Sequence, residues 1–463
     1  MRCTLLVALL CGCSPAPYVA KHSPIDTDGA QLRDQEGRAR IFRGLNVHIA
    51  GIFDVTFSDG RPPREPLPGF DASDAAEMRA YGFNLVRLPI NWSAVEPEKD
   101  QFSSDYLDRV AGIVDLLRAQ NILVLIDLHE DGFSKEICED GAPLWAIVPP
   151  PPMLTTNPLM GPDCHIAAAA QAAFVSFFAD KDGLQESYAA MLQHVATRFK
   201  NDSDVIGYEI MNEPIGQDSD VQAFSIKMAQ AIRSVDTKKL IVFEPSAARN
   251  FINASPLGSA KFPVDGTAYA VHIYTGVFTE PTALQNGMIT PELQISIAGA
   301  RAEADSWGTP LIITEYGLGS QTTNGPLWIS AVLDNMDATF ASSTWWLWRA
   351  PDVGGWGLFD PQPDGTYVVR PTMMDALSRP YARAIGGDPQ SVKWDGTRLS
   401  VSFTGRGGVP TRHEVFWSRG TPDISCDHKS VSAAAVDSVG HIYTVDCGGG
   451  GQHVLELADQ GKS

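Results

Sequence analysis

Eight times along this chain a short, strongly apolar run ends in a polar or aromatic cluster, and a longer stretch with helical spacing comes after it. The runs are Ile41–His48, Phe83–Ile90, Ile122–His129, Val205–Glu213, Leu240–Pro245, Ala268–Tyr274, Pro310–Tyr316 and Ser343–Arg349. Near-continuous apolar strands imply a parallel sheet covered from outside, since a strand buried on both faces has no polar face to alternate with. Ala75–Tyr81, Tyr106–Gln120, Leu184–Phe199, Val221–Val235 and Leu293–Trp307 read as covering helices; Leu184, Tyr188, Met191, Leu192, Val195 and Phe199 mark one apolar stripe. Eight such units predict an α/β fold closed into a (β/α)8 TIM barrel. The alternative, an open doubly wound sheet, calls for a Gly-rich phosphate loop after the first strand, where Gly44-Leu45-Asn46 stands instead.

Past Pro380 the pattern changes. Val392–Phe403, His413–Trp417 and His441–Val445 alternate between Gly and Asp-Gly turns, which predicts a small C-terminal antiparallel β-sandwich. The expected organisation is a leader and linker over 1–24, a catalytic barrel over 25–385 and the sandwich over 386–463. In the leader, Arg2 precedes an apolar Leu5–Leu10 and then Cys11-Gly12-Cys13, which predicts export. Leu10–Cys13 resembles a bacterial lipobox with Cys13 as the lipidated residue; a short secretory signal cut between Ala16 and Ala20 is the alternative. Either places the protein outside the cytoplasm, secreted or anchored at a bacterial cell envelope. Cys138, Cys164, Cys426 and Cys447 then form an even set suited to disulfides, with three pairings open; the local one keeps each bridge within one domain. Their spacing is not that of a zinc site, and no metal is expected. A net charge of −20 argues against nucleic acid and anionic membrane surfaces as partners and favours a neutral ligand such as a sugar.

In such a barrel the C-terminal strand ends share one cleft. Strand four ends Asn212-Glu213-Pro214 and strand seven ends Thr314-Glu315-Tyr316. A carboxylate closing an apolar strand is costly unless it is paired, hydrogen-bonded or functional. Two of them facing each other are what retaining glycoside cleavage needs: one gives a proton to the leaving oxygen, and the other attacks the anomeric carbon.

On these residues the chain resembles glycoside hydrolase family 5 over roughly Ile41 to Tyr381. The resemblance implies Glu213 as acid/base and Glu315 as nucleophile, with no cofactor. It implies that Arg87 orients the nucleophile and lowers its pKa, and that Asn212 donates to the sugar 2-hydroxyl. His129, His272 and Tyr274 end strands three and six, and Trp348, ending strand eight, is the expected stacking face for a sugar ring. Glu209 and Glu244 are read as structural or peripheral, with Glu209 facing away from the acid/base, and Trp345 and Trp346 as barrel core. The roles predict a bell-shaped rate profile on the acidic side of neutral.

The loop after strand three carries His129-Glu130-Asp131 and then Gly141-Ala142-Pro143-Leu144-Trp145-Ala146. These resemble the endoglycoceramidase branch, which cuts glycan from ceramide, and imply that Asp131 contacts the sugar next to the scissile bond. The apolar, proline-rich Pro143–Pro162 either forms a groove for lipid chains or packs down on the barrel. Branch members that act on glucose-linked ceramide often place a lysine in the loop after strand one; here Ile49–Pro68 offers Arg61 and Arg64 and no lysine. The expected substrate is thus a neutral glycan or glycolipid, met in a membrane. The alternatives are a β-glucanase, a mannanase, a β-glucosidase acting on small or steryl glucosides, and, in another class, a non-catalytic carbohydrate-binding surface lipoprotein.

Overall fold

The computed structural model describes residues 24–151, 164, 166–254, 261–352 and 355–461. The leader and the lipidation candidate Cys13 lie outside the described residues, as do Met153, Leu154, Leu159 and Met160 of the proline-rich loop.

Eight parallel strands close in sequence order: β1 (Arg43–Asn46), β2 (Leu85–Ile90), β3 (Leu123–Leu128), β4 (Val205–Glu209), β5 (Leu240–Phe243), β6 (Thr267–Ile273), β7 (Leu311–Tyr316) and β8 (Ser342–Trp345), with β8 returning to β1. Each falls within one of the eight predicted runs or, in β6 and β8, begins one residue before it. The principal covering helices are α1 (Ala72–Ala80), α2 (Ser104–Arg118), α3 (Ala168–Phe178), α4 (Leu184–Phe199), α5 (Asp218–Arg233), α6 (Pro291–Trp307) and α7 (Gly325–Thr339). On α4 the buried side chains include the stripe expected from the sequence, Leu184 through Phe199.

Outward residues such as Val86, Leu88, Val124, Ile126, Tyr269 and Val271 pack against these helices. The inward residues divide by height. At the N-terminal mouth Leu85, Leu125, Ile206, Val242, Ala270 and Ile312 meet a plug of Ile25, Leu32 and Phe42 in a separate apolar core. Gly44 and Gly207 let neighbouring strands close up there: a Cβ at either would run into the carbonyl oxygen of Leu85 or Leu240.

Two β-bulges set the direction of the side chains near the upper ends of β4 and β7. On β4, Val205 pairs with Val124 but Gly207 with Leu125. On β7, Ile313 pairs with Val271 but Glu315 with His272. Each inserts one residue and so reverses which face the next side chains occupy. Ile206 and Ile312 point inward; strict alternation would then send Glu209 and Glu315 outward, and the bulges turn both into the barrel.

The C-terminal region forms two antiparallel sheets around a core of Val392, Leu399, Val401, Phe403, Trp417 and Leu455. One sheet is not confined to the residues after Gly386. It starts with three strands from the N-terminal stretch, Asp26–Asp28, Gln31–Arg33 and Ala39–Arg40, and continues through Tyr381–Ile385. The chain therefore plugs the barrel and joins the sandwich before its first barrel strand begins. Disulfides join Cys138 to Cys164 and Cys426 to Cys447, with Cα separations of 5.4 and 5.5 Å, so the local pairing is the one formed. No helix among the described residues is long and apolar enough to cross a membrane.

Candidate active site

Above the apolar layer, the inward stripe turns polar on seven strands at once: Asn46, Arg87, Asp127 and His129, Glu209 and Asn212, Glu244, His272 and Glu315 are all buried. Arg87 is the hub. Its Nη1 donates to Glu315 Oε1 (2.6 Å) and Asn46 Oδ1 (3.1 Å), Nη2 to Asn212 Oδ1 (2.8 Å), and Nε to Glu209 Oε2 (2.5 Å). Asp127 and Glu244 lie 3.2 and 3.6 Å from Nη2. Burial opposes this charge, but Asp127, Glu209, Glu315 and Glu244 together hold the guanidinium pKa well above its ordinary value.

Glu209 and Glu244, expected as structural or peripheral, stand inside the polar cluster, so the peripheral alternative is corrected and the structural one remains. For Glu209 the reason is the β4 bulge. Glu244 extends the inward register of Leu240 and Val242, and its Oε1 is 3.3 Å from His272 Nε2.

Glu213 and Glu315 face each other across the mouth. An oxygen of each and a ring nitrogen of His272 all lie within 4.8 Å of one another. His272 Nδ1 is 2.6 Å from Glu213 Oε1 and 3.5 Å from Glu315 Oε2; Asn250 Nδ2 donates to Glu213 Oε1 at 2.9 Å, and the Tyr274 hydroxyl donates to Glu315 Oε2 at 2.7 Å. Glu213 adopts φ = +37°, a backbone region that costs a non-glycine residue about 1–3 kcal/mol and persists where surrounding contacts fix it. Asn250 and His272 supply such contacts at its carboxylate.

Desolvation dominates the ionisation of Glu315. Burial pushes its carboxyl above the usual carboxylate value, and His272, Arg87 and His129 pull back without cancelling it. Arg87 lowers this pKa, as expected, but one guanidinium serves four carboxylates, and burial outweighs the share that reaches Glu315. In both histidines the neighbouring charges prevail over burial. Although burial disfavours their charge, Asp127 and its neighbours raise His129, and Glu244, Glu315 and Glu213 raise His272, well above the usual imidazole value.

His129 is anchored by Asp127 (Nδ1 to Oδ2, 2.6 Å), approaches Asp131 (Nε2 to Oδ2, 3.5 Å), and stacks on Trp346 with centroids 5.3 Å apart and planes at 10°. Trp346, not Trp348, faces the cleft. Trp348 is buried beside Phe359, and its indole N–H donates to Asp74 Oδ1 at 3.0 Å; that buried acceptor at the first turn of α1 turns the ring away from the mouth. The expected stacking role of Trp348 is therefore corrected, and Trp346, expected in the core, is half-buried and takes the place on the cleft. Trp345 is core as expected. Asn250, His48 and Glu65 also belong to the site's surroundings; His48 closes the first predicted run, whereas Asn250, on the short helix Arg249–Ile252, and Glu65, in the loop after β1, stand at no strand end and carried no signal in the sequence.

Three groups in the site bring possible metal-ligand atoms within 4.8 Å: His129–Asp131–Asp140, Glu209–Glu244–His272 and Glu213–His272–Glu315. Each group takes part in the hydrogen bonds and ion pairs of the polar cluster.

The mouth opens into a cleft of about 1120 Å³ with two unlike walls. One, from the loops after β1, β3 and β8, presents His48, Glu65, Asp131, Glu139 and Trp346. The other starts two residues past Glu213 with Ile215, continues through Val175 and Phe178 of α3, and reaches Phe251 and Phe278. Val175, Phe251 and Phe278 are 70%, 64% and 50% exposed while lining one cleft, and large apolar side chains exposed together mark an interaction site. In the described part of the proline-rich loop Ile147 is buried, and Trp145 lies edge-on to Trp92 and donates to Glu96 O, whereas Leu144 stays 54% exposed.

A family model described as cellulase (glycosyl hydrolase family 5) matches residues 65–352. Endoglycoceramidase I of Rhodococcus hoagii (strain 103S) is 26% identical over 430 residues, covering 86% of this chain and 80% of the relative. An endoglycoceramidase of Cyanea nozakii is 27% identical over 262 residues, 48% of this chain and 50% of the relative. The solved structure of endo-glycoceramidase II from Rhodococcus sp. aligns with a TM-score of 0.76 and 26% identity, over 92% of this chain and 99% of that one.

Proposed function

Because the chain belongs to glycosyl hydrolase family 5, we propose that it is a retaining β-glycosidase that releases intact glycan from ceramide. One observation carries the choice of substrate: Ile215, two residues past Glu213, lines the cleft with Phe178, Phe251 and Phe278 from α3 and the segments after β4, β5 and β6, whereas His48 and Trp346 follow β1 and β8 on the far side of the closed barrel. An acid/base must stand on the leaving-group side, since it protonates the departing oxygen. The apolar surface therefore receives the aglycone, and the surface fits a lipid. A polysaccharidase would present sugar-binding aromatics in line on both sides of the pair.

In this reading Glu315 attacks the anomeric carbon as Glu213 gives its proton to the glycosidic oxygen, and ceramide leaves as the alcohol. Glu213 then takes a proton from water, whose oxygen displaces Glu315 from the anomeric carbon and restores the starting configuration. Arg87 and Tyr274 hold the nucleophile by one oxygen each. Asn212, fixed through its donation to Glu130 O and its acceptance from Arg87, offers its remaining amide N–H to the sugar 2-hydroxyl. His272 positions Glu213, Trp346 underlies the sugar ring, and His129 and Asp131 bind the sugar beside the scissile bond. Two disulfides suit an oxidising compartment outside the cytoplasm, where an anchor at Cys13 would hold the enzyme near membrane-borne substrate.

The test is to incubate the full chain with lactose linked to ceramide in detergent and monitor the products by mass spectrometry and NMR. Intact disaccharide, released first as the β-anomer, is the expected result. Untouched glycolipid alongside cleaved β-glucan or mannan would overturn the lipid assignment, and an α-anomer released first would overturn the mechanism.

A further inference from the structure

The two carboxylates of the pair are held differently. Glu315 has a donor on each oxygen, Arg87 Nη1 on Oε1 and the Tyr274 hydroxyl on Oε2. Glu213 has both donors on one oxygen: Asn250 Nδ2 and His272 Nδ1 approach Oε1 at 2.9 and 2.6 Å, and among the described residues none donates to Oε2. The Asn250 amide can lie only one way round. Its Oδ1 accepts from the His272 backbone N–H at 3.4 Å, a group that can only donate, so its NH2 is turned to Glu213. Asn250 is 5% exposed, on the short helix Arg249–Ile252 that follows β5. That helix is held firmly. The buried Arg249 reaches Glu303 Oε2, Ser296 Oγ and Ser296 O on α6 at 3.1, 3.2 and 2.7 Å. Just before the helix the Ala247 N–H donates to Pro214 O, beside Glu213, and just after it Asn253 Oδ1 accepts from the Thr275 hydroxyl at 2.8 Å.

Resting on the reading of Glu213 as acid/base, we infer that Asn250 is a positioning residue that reserves Oε2 of Glu213 for the transferable proton. A carboxylic acid carries its hydrogen on one oxygen and accepts on the other. Two N–H donors aimed at Oε1 leave that oxygen as the acceptor, so the acid is held with its O–H at Oε2. The carboxylates around His272 raise its pKa well above the usual imidazole value, which keeps a hydrogen on Nδ1 for this task. The Glu213 side chain is 21% exposed and lines the cleft, and Oε2 is the oxygen left to face it. In the first step the Oε2 hydrogen passes to the glycosidic oxygen as its bond to the anomeric carbon breaks and Glu315 bonds to that carbon. In the second, water gives a proton to Oε2 while its oxygen displaces Glu315. One hydrogen bond on Oε1 is a pivot; the second fixes the plane of the carboxyl. Without Asn250 the group turns, and the proton is offered out of line with the departing oxygen.

The experiment gives the full chain two β-lactosides, one linked to ceramide and one to 2,4-dinitrophenol. Ceramide needs a proton to leave, whereas dinitrophenolate departs without one, so only the first substrate depends on a positioned acid. Asn250→Ala is expected to lower kcat/KM for the ceramide substrate about 10- to 100-fold, and for the dinitrophenyl substrate by no more than about threefold. Asn250→Leu keeps the side-chain volume and loses the hydrogen bonds; it should show the same split, and it serves where the alanine variant unfolds. An equal fall on both substrates would make Asn250 merely structural, and unchanged rates on both would give it no part; either result overturns the inference. Glu213→Ala, run alongside, should show the same split more steeply. If it cleaves the ceramide substrate as the parent does, Glu213 is not the acid, and the inference falls with that reading. A parent that cleaves only the dinitrophenyl lactoside loses the glycolipid reading, and octyl β-lactoside then takes the place of the ceramide substrate in the same comparison.

Discussion

The two mouths of the barrel are made by the same strands only a few residues apart, yet they obey opposite rules. At the N-terminal mouth the inward stripe is Leu85, Leu125, Val242 and Ala270 under a plug of Ile25, Leu32 and Phe42. Within a few residues along the same strands it becomes Arg87, Asp127, Glu244 and His272. The lower layer stabilises by taking apolar area from water, at about 25 cal/mol per Å². The upper layer carries desolvated charge, for which burial is the largest influence on Arg87, Glu244, His272 and Glu315 alike. A polar network of this kind gives little net stability. The lower half therefore holds the strands, and the upper half is left to be arranged for chemistry.

The largest expected effect removes the reacting group itself. Glu315→Gln should lower kcat about 10⁴-fold or more while leaving the circular dichroism spectrum and the binding of neutral glycan in place. An active Glu315→Gln protein would mean that the chemistry lies elsewhere. Next is Arg87→Met, which strands Glu209, Glu315, Asp127 and Glu244 around a neutral side chain. It should cost about 3–5 kcal/mol of stability as well as activity, because breaking a buried pair leaves uncompensated charge. Phe42→Ala at the other mouth should cost a similar 3–5 kcal/mol, about that of other buried aromatic truncations, through a cavity. Its folded fraction, however, should keep kcat and the pH profile within about twofold, on the expectation that sites with no shared partners behave independently. Denaturant titration beside pH-rate profiles separates the two, and a shifted profile in Phe42→Ala would break the division between the mouths.

How much of this was legible in the sequence obeys the same division. The eight units could be read because double-sided burial demands apolar runs, and α4 because its stripe keeps helical period. Glu213 and Glu315 stood out because each closes an apolar strand. What could not be read was direction. The bulges at Ile206–Gly207 and near Thr314 insert one residue without a compositional mark and turn Glu209 and Glu315 inward. The tryptophans fail for another reason: Trp346 and Trp348 are equivalent in pattern, and only Asp74, distant in sequence, draws one of them under α1. The N-terminal strands joined the sandwich unseen because Asp26–Asp28 and Gln31–Arg33 are too short and polar to announce themselves.

The finest test of the division between the mouths is where protons reside, since only the upper mouth has groups able to exchange them. Burial, the largest influence, pushes the Glu244 carboxyl from its usual 4.5 up to about 8, with Glu209 adding to this and His272 and Arg87 opposing it. The folded chain therefore keeps this proton over a range in which the unfolded chain has released it. Between about 4.5 and 8 the folded state binds more protons, so stability falls as pH rises through that window. His272, raised above its usual 6.5, acts in the same direction: the stability of its charged form is present below that value and is lost as pH climbs. In Glu244→Gln the first contribution vanishes, because the amide does not titrate, while those of His272 and His129 remain. Melting temperatures measured from about pH 5 to 9 should decline less steeply for Glu244→Gln than for the parent, and the parallel variant Phe42→Ala should keep the parent's slope at a lower temperature throughout. Identical slopes for the parent and Glu244→Gln would mean that Glu244 gives up its proton as readily in the folded chain as in the unfolded one, and that the charge of the upper mouth is balanced by the histidines and Arg87 alone.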